Sequence, residues 1–241
     1  SYSVRTFRDA MEAIEEGAAD YAVLPIENST AGAVNEVYDL LVEFENYIVG
    51  EVIIPITHTL AGLPGTQLSE LKRVYSKAEA LMQTTRFLEE HSDWQQISVA
   101  NTAIAAKKIL DDQDRTQAAV CSAYAAKVYG LEVLEDNIND ESGNCTRFII
   151  VTNQKVFLKG AKKISICFEV PHESGSLYHL LSHFIYNDLN MSKIESRPIE
   201  GRSWEYRFFV DFEGNLEEPG VKNALRGLRE ESRSLKILGN Y

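Results

Sequence analysis

The sequence predicts a mixed α/β protein built in two successive parts. Over residues 1–153, short apolar strands alternate with amphipathic helices, which is typical of a parallel sheet covered by helices on both faces. Beyond residue 162 the order changes to strand, helix, two strands joined by a short turn, helix and strand, which is the ferredoxin-like βαββαβ order. A chain of 241 residues with 44% hydrophobic residues is long enough to build more than one core.

The first part begins with a predicted helix over residues 6–16, where Phe7, Met11 and Ile14 recur at helical spacing before Gly17. An apolar strand follows at 21–26, then a helix with its apolar face from Val34 to Phe44. The remaining predicted strands are 48–56, 73–75, 97–100, 118–121 and 147–152, and the remaining helices are 78–90, 103–110 and 123–129.

The second part follows a predicted linker at 154–161 and occupies residues 162–241. Its predicted strands are 162–170, 191–199, 204–212 and 235–238, and its helices are 175–188 and one through 221–228. The short turn at 200–203 indicates an antiparallel hairpin.

Composition excludes several classes of function. The net charge of -12, without a basic stripe, argues against a nucleic-acid surface. No apolar run reaches the roughly 20 residues of a membrane span, and the first ten residues contain no signal-peptide core. Three cysteines without CxxC spacing predict reduced thiols and a cytoplasmic protein.

Known catalytic and cofactor motifs are absent from the sequence. It contains no GxGxxG, no GxxxxGK[ST] and no GxSxG. His179 and His183 form an i, i+4 pair, but their predicted helix offers no acidic third ligand, so we expect no metal site. Cys121 and Cys145 have no base visible in the sequence and are expected to be structural.

Small polar residues follow several predicted strands, at Glu27-Asn28-Ser29-Thr30, Tyr75-Ser76, Asn101-Thr102 and Cys121-Ser122. In a doubly wound sheet, ligands bind beyond the carboxyl ends of strands, where helix N-termini present free N–H groups. The same residue types are also the preferred helix N-caps. Both interpretations remain open at this point.

Residues 144–148, Asn-Cys-Thr-Arg-Phe, place a hydroxyl and a guanidinium where the chain enters a predicted strand. Arg147 is able to bind a ligand carboxylate with two hydrogen bonds, and an ion pair on the protein surface is the alternative. Glu27 and Asn28 come directly after Pro25-Ile26, so a carboxylate and an amide occupy the end of another strand.

The motifs resemble those of the prephenate dehydratase family. The matching segments, in order, are Pro25-Ile26-Glu27-Asn28-Ser29, Val49-Gly50-Glu51, Tyr75-Ser76 and Asn144-Cys145-Thr146-Arg147-Phe148. Two later segments, Gly175-Ser176-Leu177 and Glu195-Ser196-Arg197-Pro198, resemble the two signatures of the family's C-terminal ACT regulatory domain. Together the motifs cover nearly all of residues 20–241.

This resemblance implies a two-lobed catalytic domain over 1–153, similar to type II periplasmic binding proteins, and an ACT domain over 162–241. Lobe 1 would comprise about 1–57 and 145–153, and lobe 2 about 58–144, with the active site between them. By the same likeness, Thr146 is the essential hydroxyl, and the site is lined by Glu27, Asn28, Ser29, Ser76 and Gln83. Arg147 and Phe148 are further expected substrate contacts.

The implied reaction is loss of carbon dioxide and water from prephenate to give phenylpyruvate, which needs neither a metal nor an organic cofactor. Thr146 would hydrogen-bond the departing oxygen, and Glu27 would be the general acid. Helix N-termini at Ser29 and Ser76 would hold the substrate carboxylates.

The ACT likeness implies phenylalanine as an allosteric effector, bound where two such domains pair in a homodimer or homotetramer. The expected effector contacts are Gly175, Ser176, Leu177, Glu195, Ser196, Arg197 and Pro198. Gly175 would let a ligand approach the backbone at the start of a helix.

The sequence departs from the family pattern in three places. The family's opening strand and Gly-Pro-x-Gly-Thr/Ser loop are expected before residue 1, Lys77 stands where a histidine is usual, and Gly175-Ser176-Leu177 replaces Gly-Ala-Leu. Two alternative functions remain: arogenate dehydratase, whose substrate carries an amine in place of the keto group, and a sensor that binds an anionic solute without converting it.

Overall fold

The computed structural model describes residues 1–241 and divides into two compact units. Unit 1 consists of Ser1–Ile54 and Thr146–Tyr241, and unit 2 consists of Pro55–Cys145. The C-terminal βαββαβ segment therefore lies in the same compact unit as the first 54 residues. None of the helices has both the length and the apolar content needed to cross a bilayer.

Thirteen strands and eight α-helices make up the fold. The strands are β1 Ala22–Asn28, β2 Gly32–Ala33, β3 Tyr47–Pro55, β4 Thr59–Gly62, β5 Arg73–Ser76, β6 Gln95–Ser98, β7 Gln117–Cys121, β8 Glu132–Glu135, β9 Cys145–Thr152, β10 Lys163–Glu169, β11 Met191–Pro198, β12 Tyr206–Glu213 and β13 Ser234–Asn240. The helices are α1 Phe7–Glu15, α2 Asn35–Glu43, α3 Ala78–Met82, α4 Thr85–Glu89, α5 Thr102–Asp112, α6 Ala123–Val128, α7 Ser176–Tyr186 and α8 Pro219–Glu231.

Unit 1 is built on an eight-stranded sheet in the order β11-β12-β10-β13-β3-β9-β1-β2. The four C-terminal strands pair antiparallel, and the sequence predicts their βαββαβ order correctly. They join the rest of the sheet where β13 pairs with β3 at Gly239 and Ile48. A Cβ atom on Gly239 would lie 2.2 Å from the carbonyl oxygen of Ile48, so only glycine allows this approach.

Two apolar cores cover the faces of the C-terminal strands. On one face, Phe168, Phe184 and Phe212 are fully buried together with the inner sides of α7 and α8. On the other face, Tyr38 of α2 packs against Phe209 of β12, with ring centroids 4.8 Å apart. Because residues of α2, β1, β3 and β9 belong to the same buried cluster as Phe209, one core joins the two parts of unit 1.

Unit 2 is a five-stranded sheet in the order β6-β5-β7-β4-β8 with helices on both faces. One core contains α5 and α6, and the other contains α3 and α4. The strands β6, β5 and β7 are parallel, as the alternating pattern predicts, but β4 and β8 pair antiparallel. The prediction of a parallel sheet over residues 1–153 is therefore wrong in part. In unit 2 it missed these two four-residue strands, and in unit 1 the strand predicted at 21–26 is β1, which pairs antiparallel with β9.

The helix predicted over 78–90 is two short helices, α3 and α4, which meet at Gln83 and Thr84. The carboxylate of Asp140 accepts hydrogen bonds from the N–H groups of Thr85 and Arg86, at 2.9 and 2.8 Å. An acidic side chain at this position stabilises a new helix N-terminus, so the helix restarts there. Gln83 consequently lies at the break between two helices and not inside the single helix predicted over 78–90.

Candidate functional site

Asn28 and Thr146 form the centre of the candidate site on unit 1. They lie opposite each other at the paired ends of β1 and β9, and Asn28 Nδ2 donates a hydrogen bond to Thr146 Oγ1 at 2.9 Å. The other end of the carboxamide is held as well, because Asn28 Oδ1 accepts from the N–H groups of Thr30 and Ala31. Since Thr146 Oγ1 accepts from Asn28, the threonine proton points elsewhere and is able to serve a second partner.

Glu27 and Arg147 are also cross-strand partners, one position away from Asn28 and Thr146. Successive side chains of a strand point to opposite faces, so Glu27 and Arg147 share the face that lies away from the Asn28–Thr146 pair. The two residues predicted to be catalytic, Thr146 and Glu27, are therefore on opposite faces. The role of Glu27 as general acid stays a prediction, and this arrangement gives it no support.

The Arg147 guanidinium binds protein groups through each of its nitrogens. Nε donates to Glu51 and Nη1 to Asp211, both at 2.6 Å, and Nη2 donates to the hydroxyl of Tyr241 at 2.8 Å. The side chain is only 13% exposed. The predicted use of Arg147 as a ligand for a substrate carboxylate is therefore not supported, because its donors already serve two carboxylates of the protein.

Two further contacts extend this Arg147 network. Lys163 donates to the second oxygen of Glu51, and Ser165 donates to Asp211 at 2.5 Å. Burial alone would raise the pKa of Glu51, but the hydrogen bond from Lys163 and the charge of Arg147 outweigh it and hold that pKa below its ordinary value. Burial and the charge of Asp211 raise the pKa of Tyr241, so its hydroxyl stays neutral.

Glu27 binds a lysine from the C-terminal strands. Lys193 Nζ of β11 donates to Glu27 Oε1 at 2.6 Å, and the lysine side chain is only 14% exposed. Arg197 lies on the same face of β11, four residues after Lys193, and donates two hydrogen bonds to Asp39 of α2 at 3.0 and 2.6 Å. The face of β11 that carries both side chains is therefore fixed to the first part of unit 1.

A second group of polar side chains surrounds Gln83 in unit 2. Gln83 Oε1 lies 2.9 Å from His58 Nε2 and 3.1 Å from Asn144 Nδ2. Asn144 Nδ2 is a donor, so Gln83 Oε1 is the acceptor, and His58 must donate from Nε2. With its oxygen satisfied twice, the Gln83 amide has its two N–H donors directed away from His58 and Asn144.

Ser76 and Ser29 differ from their predicted roles as helix N-caps. Ser76 is the last residue of β5, is fully buried and donates to the carbonyl of Val120 at 2.6 Å. Lys77 occupies the N-cap position, and its Nζ binds Glu79. Ser29 lies in the turn between β1 and β2, and the next helix begins only at Asn35. The predicted helix N-termini at Ser29 and Ser76 are therefore wrong.

Other predicted residues lie where the sequence places them. Asn101 and Ser122 cap α5 and α6, accepting from the N–H groups of Ile104 and Ala125. Phe148 is two residues after Thr146 on β9 and so faces the same side of the sheet. Burial raises the pKa of the Cys121 thiol to about 11, which fits a structural side chain.

A cavity of about 260 Å³ lies beside the first predicted effector segment. Gly175, Ser176 and Leu177 line it, together with residues from the β12 strand and the loop before it, including Trp204 and Phe208. Gly175 has φ +84°, a left-handed conformation that favours glycine. The second predicted segment, Glu195–Pro198, is on β11 and is not among the residues that line this cavity.

No group of three or more His, Cys, Asp and Glu side chains in the structure has an arrangement suited to a metal ion. His183 instead lies 3.1 Å from Glu231 of α8. Sequence reasoning missed His58, Lys193, Asp211 and Tyr241. Of these, only Lys193 is indicated by the sequence, because it shares one face of a predicted strand with Glu195 and Arg197.

Comparison with known proteins identifies a matching family model, described as prephenate dehydratase, over residues 1–156. The bifunctional chorismate mutase/prephenate dehydratase of Aquifex aeolicus is 40% identical over 238 residues. That alignment covers 98% of this chain and 65% of the relative, so the chain spans slightly less than two thirds of that relative's length.

Solved structures give similar matches. The prephenate dehydratase of Arthrobacter aurescens, determined in complex with L-Phe, matches with a TM-score of 0.89 and 32% identity, covering 99% of this chain and 80% of that one. GqqA, described as a novel type of quorum quenching acylase, matches with a TM-score of 0.88 and 32% identity, covering 98% and 86%. The mixed α/β fold is therefore shared with these proteins.

Proposed function

Because the chain belongs to the prephenate dehydratase family, we propose that it converts prephenate to phenylpyruvate, carbon dioxide and water. The observation that carries this proposal is the hydrogen bond from Asn28 to Thr146, which joins two of the family-like segments at adjacent strand ends. This hydrogen bond orients the Thr146 hydroxyl and leaves its proton available for a second partner.

In the proposed reaction, the bond from the ring to its carboxylate breaks and carbon dioxide leaves. The electron pair moves through the ring and expels the ring hydroxyl, which takes up a proton from solvent and departs as water. The ring becomes aromatic, and this supplies the driving force. Thr146 donates a hydrogen bond to the departing oxygen as negative charge develops there, an interaction typically worth about 3–4 kcal/mol when it is preorganised.

We assign the substrate contacts on unit 1 to Thr146, Asn28, Ser29 and Phe148. Gln83 stays a predicted substrate contact, and its amide N–H donors, which point away from His58 and Asn144, suit a carboxylate. The hydroxyl of Ser76 is buried and already donates to Val120, which supports a structural role for it.

For the C-terminal segment, we propose an ACT regulatory domain over 162–241 that binds L-phenylalanine in a homodimer or homotetramer. The 260 Å³ cavity beside Gly175 supports this proposal because the first predicted effector segment, Gly175–Leu177, lines it. The second segment does not line the cavity within one chain, which fits its supply by a second copy. The same proposal includes a cytoplasmic location, since an odd number of cysteines without CxxC spacing argues against a disulfide framework.

The test is turnover by the purified chain, with phenylpyruvate measured by its absorbance. We expect prephenate to be converted faster than arogenate, and L-phenylalanine to change the rate. Faster conversion of arogenate would reassign the substrate, and binding of prephenate without turnover would favour the sensor. Because one similar structure is described as an acylase, the same samples are tested for cleavage of an N-acylated amine, which we expect to be absent.

A further inference from the structure

Lys193 connects the C-terminal strands to the residue that precedes Asn28. Its Nζ lies 2.6 Å from Glu27 Oε1, and 3.8 Å from the carboxylate of Glu195 on its own strand. The lysine is 14% exposed and Glu27 34% exposed, so the contact is shielded from solvent more than a surface pair. The pair therefore restrains the end of β1 from the side away from Thr146.

The geometry leaves Glu27 without a direct route to the candidate site. Asn28 and Thr146 share one face of the β1–β9 pair, and Glu27 points to the other, where Lys193 holds it. Glu27 is nevertheless bonded through the backbone to Asn28, whose carboxamide orients the threonine hydroxyl. A restraint on Glu27 therefore acts one peptide unit from that carboxamide.

We propose that Lys193 is a positioning residue for the dehydration, acting through Glu27 on the Asn28–Thr146 pair. The inference rests on the proposed function and deepens it, since it makes Glu27 a positioning residue as well and not the proton donor. Lys193 also lies on β11, the strand of the second predicted effector segment, two residues before Glu195. A shift of β11 on binding of L-phenylalanine therefore reaches Asn28 through this ion pair.

The kinetic test compares Lys193→Met, Lys193→Arg, Glu27→Gln and the Lys193→Met/Glu27→Gln double variant. Lys222→Met, which removes an exposed lysine from α8, is the matched control. We expect Lys193→Met to lower kcat about three- to tenfold with little change in KM and to weaken the response to L-phenylalanine. We expect Lys193→Arg to keep kcat and the response to L-phenylalanine close to those of the unsubstituted chain, and Lys222→Met to change neither quantity.

The double variant distinguishes positioning from proton donation. If the pair acts as one unit, Glu27→Gln lowers kcat as much as Lys193→Met, and the double variant is no worse than either. If Glu27 instead gives a proton to the substrate, Glu27→Gln alone lowers kcat by a factor of about 10²–10⁴. That loss would be much larger than the loss in Lys193→Met, and it would overturn the proposal. Unchanged kcat and effector response in Lys193→Met overturn it equally.

A second measurement does not depend on turnover. Hydrogen–deuterium exchange of peptides covering 26–31 and 144–149 reports how firmly the two strand ends are held. We expect faster exchange in Lys193→Met, recovery in Lys193→Arg and no change in Lys222→Met. Equal exchange in all four proteins overturns the proposal. Absence of prephenate turnover in the unsubstituted chain, by contrast, refutes the proposed function while the exchange experiment still decides the role of Lys193.

Discussion

Replacing Arg147 with methionine removes the centre of the most buried charge network in unit 1. The substitution keeps most of the side chain's length but deprives Glu51 and Asp211 of their shared cation. Breaking a buried ion pair costs about 3–5 kcal/mol. Because Glu51 keeps Lys163 and Asp211 keeps Ser165, we expect a smaller loss of about 2–3 kcal/mol in the free energy of unfolding.

This loss is measurable as a change in the melting temperature. For a domain of 150–250 residues, each kcal/mol shifts the midpoint by about 2–4 °C, so Arg147→Met should melt about 4–12 °C lower in a circular-dichroism scan. Arg8→Met is the matched control, because Arg8 also binds Glu43 through two bonds of 2.6 Å, but both side chains are about half exposed. Exposed pairs contribute little, so we expect no shift there. Equal midpoints for the two variants would show that burial does not strengthen the Arg147 network.

Three more predictions concern acid stability, chain packing and substrate affinity. The lowered pKa of Glu51 contributes stability that is fully present above the ordinary value of 4.5 and is lost as the pH falls through the folded value. Glu51→Gln should therefore flatten the decline of the melting temperature below about pH 5. An unchanged slope would contradict this. Gly239→Ala should lower the urea midpoint by the equivalent of about 1–3 kcal/mol in the free energy of unfolding. Gly50→Ala is the control and should leave the midpoint unchanged, because its added Cβ would come no nearer than 3.4 Å to a side chain. Similar midpoints for the two variants would count against the close approach of β13 to β3. His58→Phe removes a hydrogen-bond donor to Gln83. It should raise the KM for prephenate about three- to tenfold with a smaller change in kcat. An unaltered KM would show that the Gln83 amide does not need the hydrogen bond from His58.

The elements that the sequence predicts well are those with local signals. The helix α1 begins where Thr6 and Asp9 form a reciprocal capping box, and Met11 and Ile14 are fully buried as their spacing predicts. The caps at Asn101 and Ser122 likewise depend on residues only three positions away. The mixed α/β fold and the family are confirmed for the same reason, since their motifs are continuous segments of sequence.

The features that the sequence does not predict depend on partners far along the chain. The break in the helix at Gln83 is fixed by Asp140, 55 residues from Thr85, and the hydroxyl of Ser76 is occupied by Val120, 44 residues away. Periodicity reports which face of an element is apolar but not which polar group lies opposite. For this reason the sequence pattern places helix N-termini at Ser29 and Ser76, whereas the fold places neither serine at one.

The candidate site shows the same division between local and distant signals. Thr146, Asn28 and Arg147 are identifiable by type and motif, but their faces on the sheet follow from the register of β1 against β9 and from a bulge between Pro25 and Glu27. The ion partners of Arg147 are 64 and 96 residues away in sequence. A substrate contact and a structural network therefore look alike in the sequence, and only the fold separates them.

The role of the Thr146 hydroxyl is tested most directly by kcat for prephenate in Thr146→Val, since valine has nearly the shape of threonine but no hydroxyl. We expect kcat to fall about 10²–10³-fold, with Thr146→Ser within about tenfold of the unsubstituted chain. If Thr146→Val turns over prephenate within tenfold of the unsubstituted chain, the hydroxyl held by Asn28 does not carry the reaction.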